Sequence, residues 1–76
     1  MSLPADTLFR IWILRKPQIS DAVLYRTFDA AMRACCVAGA EVEEWVATET
    51  SPRLSRTVVW LRLSDGSFAR SNSNSR

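Results

Sequence analysis

The sequence predicts a single small α+β domain, an antiparallel β-sheet with one α-helix packed on one face. Three observations carry this. The chain has 76 residues, about half the length of a typical domain, so it has room for one core only. Two stretches, Thr7 to Arg15 and Thr57 to Leu63, alternate with the period of two that a pleated strand requires. Between them lies a stretch whose apolar residues recur at the three- and four-residue spacing of a helix. The expected order is strand, short strand, helix, strand, strand, with the domain spanning residues 1–70 and a Ser/Asn-rich disordered tail over 71–76.

The first strand, Thr7 to Arg15, is rich in β-branched and aromatic residues. It sets Phe9, Ile11 and Ile13 on one face and Leu8, Arg10, Trp12 and Leu14 on the other. Lys16-Pro17-Gln18 ends it, because proline donates nothing to a ladder and restricts the residue before it. Ala22 to Arg26 returns as a short second strand with Val23 and Tyr25 on one side.

The helix reads from Phe28 to Ala38. Thr27 suits the N-cap, Asp29 lies in the first turn where the helix dipole favours an anion, and Gly39 suits the left-handed position after the last turn. Phe28, Ala31, Met32 and Cys35 form the apolar stripe, with Asp29 and Arg33 on the far side.

Glu41 to Thr50 has two readings. Val42, Trp45, Val46 and Glu49 continue a helical period, whereas Val, Trp and Thr favour a strand and Gly39 interrupts the run. The strand is the assignment taken here. Ser51-Pro52-Arg53 makes a turn, and Thr57 to Leu63 follows with Val59, Leu61 and Leu63 expected inward and Val58, Trp60 and Arg62 outward. Ser64-Asp65-Gly66-Ser67 signals a hairpin, after which Phe68 to Arg70 adds a brief return strand.

Composition narrows the function classes. A hydrophobic fraction of 47% and a charged fraction of 24% are those of an ordinary globular chain, not a disordered one. No apolar run is long enough to span a bilayer and no signal-peptide pattern opens the chain, so a cytoplasmic location without membrane association is expected. With no histidine, neither Ser-His nor Cys-His nucleophile pairs can be assembled, and an enzyme is not expected. The adjacent Cys35 and Cys36 cannot staple a loop, and no tetrahedral zinc set can be built from them. Cys35 falls on the helix's apolar stripe and reads as core filling. Gly39 and Gly66 both have turn or cap roles, so no phosphate loop is present. No metal and no cofactor are expected.

Charge is uneven along the chain. Glu41, Glu43, Glu44 and Glu49 crowd one stretch, and Arg53, Arg56, Arg62, Arg70 and Arg76 follow it. The glutamates read as a solvated acidic edge. A lone helix covers one sheet face, which leaves Arg10, Trp12, Trp60 and Arg62 on the other as the candidate binding surface. Trp and Arg dominate binding hot spots because a large flat ring excludes water while a guanidinium adds directional hydrogen bonds. The competing reading is that Trp12 and Trp60 complete a two-sided core, and a homodimer interface is a further use for such aromatics.

The pattern of a strand, then Thr27-Phe28-Asp29-Ala30-Ala31-Met32-Arg33-Ala34, then strands closing on Trp60-Leu61-Arg62-Leu63-Ser64-Asp65-Gly66, resembles the small α+β anti-CRISPR proteins of phages, in particular inhibitors of type I surveillance complexes. The resemblance implies a non-enzymatic, stoichiometric inhibitor in the host cell cytoplasm. Such an inhibitor binds Cas subunits of the crRNA-guided complex (Cascade) and blocks target DNA recognition. Several such inhibitors are acidic DNA mimics, and this chain, with a net charge of +2, departs from that pattern. The alternative is a small nucleic-acid-binding regulatory or toxin-antitoxin module, with Arg on phosphate and Trp on bases. The four central glutamates weigh against it.

Overall fold

Of Glu41 to Thr50, the stretch with two readings, Glu41–Thr48 is a strand and the middle one of the sheet. The computed structural model describes residues 7–72. Its elements are β1 (Thr7–Arg15), β2 (Ala22–Tyr25), α1 (Phe28–Ala34), β3 (Glu41–Thr48), β4 (Ser55–Arg62) and β5 (Phe68–Asn72). The strands form one sheet in the order β2-β1-β3-β4-β5, every neighbouring pair antiparallel. Because β2 and β3 flank β1 and both run against it, the connection through α1 crosses over β1, and α1 packs on β1 and β2.

Thr27 caps α1 with an extended backbone, its Oγ1 accepting from Ala30 N at 3.2 Å. The helix ends at Ala34, four residues before the expected Ala38. Cys35 is the C-cap, its amide donating to Ala31 O and Met32 O, and Arg62 Nη1 donates to Cys35 O at 3.2 Å. Gly39 is not the helix's terminal residue. Its positive φ of 90° serves a turn in which Ala40 N donates to Val37 O, and its own amide donates to Arg62 O at 2.9 Å. The left-handed backbone therefore turns the chain into β3.

Directly opposite residues share a face. The pairs Leu14–Val42, Trp12–Glu44, Val42–Trp60 and Trp60–Arg70 thus place Trp12, Leu14, Val42 and Trp60 on one side. That side is the one α1 covers: Trp12, Leu14 and Val42 form the buried cluster with Ala31, Cys35 and Ala40, and Tyr25, Met32, Ala34, Trp60 and Phe68 pack against it. This reverses the expected assignment of faces. Both faces alternate apolar residues, so periodicity alone does not say which one meets the helix. The larger tryptophans bury more area there than the isoleucines would.

The other face carries Ile11, Ile13, Glu43, Trp45, Val59 and Leu61 and has no second layer among the described residues. Leu63 lies beyond β4 and is exposed. At the C-terminal end β5 continues through Ser71 and Asn72, paired with Val59 and Val58, so these two belong to the sheet and not to the tail. Residues 1–6 of the expected domain and 73–76 of the expected tail lie outside the described residues.

Candidate binding surface

Glu43 and Glu44 are neighbours in the central strand, and alternation sends them to opposite faces. Glu44, 8% exposed, accepts from Arg10 Nε at 2.9 Å and Nη2 at 2.7 Å, and from the Thr57 hydroxyl at 2.8 Å. Glu43, 3% exposed, accepts from Arg15 Nε at 3.0 Å, Trp45 Nε1 at 3.2 Å and Arg56 Nη1 at 3.1 Å. A register shift between Glu44 and Trp45 makes Thr57 the extra residue of β4. Arg56 and Thr57 then serve glutamates on opposite faces, a re-aiming typical of bulges.

Burial pushes the Glu43 carboxyl up. The bonds from Arg15 and Trp45, the Arg15 charge and the Arg56 bond outweigh it and hold the group below the ordinary glutamate value. The pair is therefore no solvated acidic edge. Glu43 and Glu44 are buried and engaged, because β3 is central.

The four residues expected to form the binding surface share a face but not an environment. Trp12 is core, 6% exposed beneath α1, its Nε1 without a hydrogen-bond partner among the described residues. Arg10 is tied to Glu44, and its guanidinium lies 4.7 Å from the centroid of the Trp12 ring. Trp60 is half-buried against Phe28, ring centroids 4.9 Å apart. Arg62 donates to Cys35 O and lies 5.2 Å from the Phe68 ring centroid.

Because α1 sits over β1 and β2, no helix among the described residues covers the β4–β5 half of this face. Trp60, Arg62 and Phe68 lie there, with Phe28 on the border, 38% exposed. Arg70 stands directly opposite Trp60; it is exposed, and its side chain has no hydrogen bond or ion pair with any described residue. Among the described strand residues of this face Glu44 is the one acid, and it is already engaged. The result is a positive, aromatic-lined patch.

Arg70 and Phe68 were absent from the expected surface. The signal that finds them is the Ser64–Ser67 turn, where Leu63 N donates to Ser67 O and Asp65 Oδ1 accepts from Ser67 N at 2.9 Å. Once this turn sets the register, Phe68 falls opposite Arg62 and Arg70 opposite Trp60.

Cys35 is fully buried, and its burial pushes the thiol above its ordinary range, against the lowering by Arg62 and with a smaller push from Cys36. Such a thiol fills space and is a poor nucleophile. Among the described residues no three His, Cys, Asp or Glu side chains gather as a metal would require, and no helix is long and apolar enough to cross a membrane. Compared with family models, curated proteins and solved structures, the chain matches none.

Proposed function

We propose that this chain is a non-enzymatic binding protein that acts through the open β4–β5 half of its helix-side face, with Trp60, Arg62 and Arg70 as the contact residues. The observation that carries the reading is the Trp60–Arg70 pair: an aromatic ring half open to solvent beside a guanidinium with no partner among the described residues. Trp and Arg at directly opposite positions offer a flat ring that excludes water and a guanidinium with donors to spare. Arg10 and Trp12 stand on β1 of the same face, Arg10 bonded to Glu44 and Trp12 edge-on to the Phe28 ring that also meets Trp60.

The partner this reading names is a type I CRISPR surveillance complex in the host cytoplasm, bound stoichiometrically at its Cas subunits so that target DNA is not recognised. The pattern resemblance supplies the name, and the positive patch suits an acidic protein surface. A mobility-shift assay with purified type I complexes and target DNA tests it. Pre-incubation with equimolar protein abolishes the shift of the target, and an undiminished shift at large excess refutes the inhibitor reading.

The same pair favours a second reading, single-stranded nucleic acid, since Arg meets phosphate and a half-open Trp stacks on a base. Salt separates the two. Binding through phosphates weakens steeply with ionic strength, and a packed protein interface weakens less.

A further inference from the structure

We infer, on the reading that the β4–β5 patch is the contact surface, that the group it recognises is a single carboxylate of a protein partner, held by both arms of the Arg70 guanidinium, with an apolar side chain of the same partner on the Trp60 ring. Three guanidiniums stand on the described strands of the helix-side face, and two of them are committed. Arg10 gives Nε and Nη2 to the Glu44 carboxylate, which neutralises it. Arg62 gives Nη1 to Cys35 O and lies over the Phe68 ring. Arg70 is exposed and has no hydrogen bond or ion pair with a described residue. Its planar fork matches the two oxygens of a carboxylate, a fit that an ammonium lacks.

The neighbours of Arg70 decide what accompanies the acid and how many acids fit. Trp60 stands directly opposite Arg70, and side chains in that relation lie about 5 Å apart at Cβ. Trp60 is half-buried and the Phe28 ring beside it is 38% exposed, so both keep area for an apolar side chain to cover. Arg62, opposite Phe68, stands diagonally from Arg70 and has no ion pair with a described residue, so its charge pulls on the same acid. A strand of nucleic acid needs a row of cations to track successive phosphates. Beyond these two, the described strands of this face offer only the neutralised Arg10, and the exposed Asp65 carboxylate stands in the turn joining β4 to β5. One acid with an apolar neighbour fits this charge pattern, and a polyanion does not.

Nuclear magnetic resonance titration of the full, isotope-labelled chain tests this. The probe is N-acetyl-Phe-Gly-Glu-amide, whose ring and carboxylate fall on one side of an extended peptide; its Gln counterpart is the uncharged control and oligothymidylate the polyanion. The Glu peptide shifts the Trp60 indole N–H and Arg70 Nε–H signals together. The indoles of Trp12, in the core, and Trp45, on the other sheet face, stay in place. The Gln peptide binds about tenfold more weakly, and Arg70→Lys weakens the Glu peptide about fivefold, because the charge remains and the fork is gone. Equal binding of the Glu and Gln peptides, or an Arg70→Lys variant that binds as well as the unaltered chain, overturns the inference. Tighter binding of oligothymidylate at the same two signals overturns it as well, yet leaves the patch as the contact surface. If no probe moves either signal, the patch falls as a contact surface and the inference with it.

Discussion

Trp12 and Trp60 hold the same Phe28 ring between them, with ring centroids 6.3 Å and 4.9 Å away, yet Trp12 is core and Trp60 is half open. The difference follows from where α1 lies. The helix covers β1 and β2, so the tryptophan on β1 is roofed and the one on β4 keeps an open edge.

The two tryptophans therefore respond differently to truncation. Trp12→Ala removes a ring from the closed core and costs about 3 to 5 kcal/mol of folding stability. Trp60→Ala costs about half of that, since part of its ring is already in water. Urea denaturation of both variants measures this. Equal losses would mean that the helix does not distinguish the two sites.

The Glu43 carboxyl gives the protein an acid-sensitive limb. Its folded-state value lies below the unfolded one, so the unfolded chain binds its proton first as pH drops. The stabilisation is complete above the unfolded value, about 4.3, and is lost as pH falls through the lower folded value. Glu43→Gln flattens this part of the stability profile. It also lowers stability at neutral pH by about 1 to 3 kcal/mol, because the negative charge is lost and the amide has one acceptor oxygen where Glu43 uses two, Oε1 for Arg15 and Trp45 and Oε2 for Arg56. Those arginines are about half exposed, which keeps the loss below that of a fully buried pair. Chemical denaturation from pH 7 to pH 3 reads both effects.

Gln18 holds a positive φ of 66° in the loop between β1 and β2. A side chain in that region is strained where glycine is not. Gln18→Gly stabilises the fold by up to about 1 kcal/mol, the relief exceeding the added freedom of the unfolded chain. A thermal melt checks the sign, and a lower melting temperature would show that the Gln18 side chain contributes more than its backbone costs.

Much of the backbone was legible in the residues. The Thr7–Arg15 strand, the Thr27 cap, the Asp65-Gly66 turn and the strand character of Glu41 to Thr48 all follow from local rules. What was not legible is tertiary. Ile11 and Trp12 are equally good inward residues, and only the crossover of α1 over β1 decides between them. Glu43 and Glu44 read as solvated until β3 is known to be the central strand, with Arg15 and Arg10 on one side and Arg56 and Thr57 on the other. Gly39 suits a helix end by sequence, but the turn into β3 uses its left-handed backbone. Of the candidate surface, Trp60 and Arg62 lie on the open half, whereas Trp12 became core and Arg10 its neighbour. Arg70 entered only through the register of the last hairpin.

The most direct test of the account is the affinity of Arg70→Glu for a purified type I surveillance complex, measured by calorimetry beside the unaltered chain and with a thermal melt of each. Arg70 is exposed and bonded to no described side chain, so its replacement leaves the melt unchanged, unlike that of Arg62, which holds Cys35 O. The account predicts a loss of at least about 2 kcal/mol in binding, because a donor is removed and a repelled charge takes its place beside Trp60. Undiminished affinity in the folded variant would contradict the assignment of the β4–β5 patch as the contact surface.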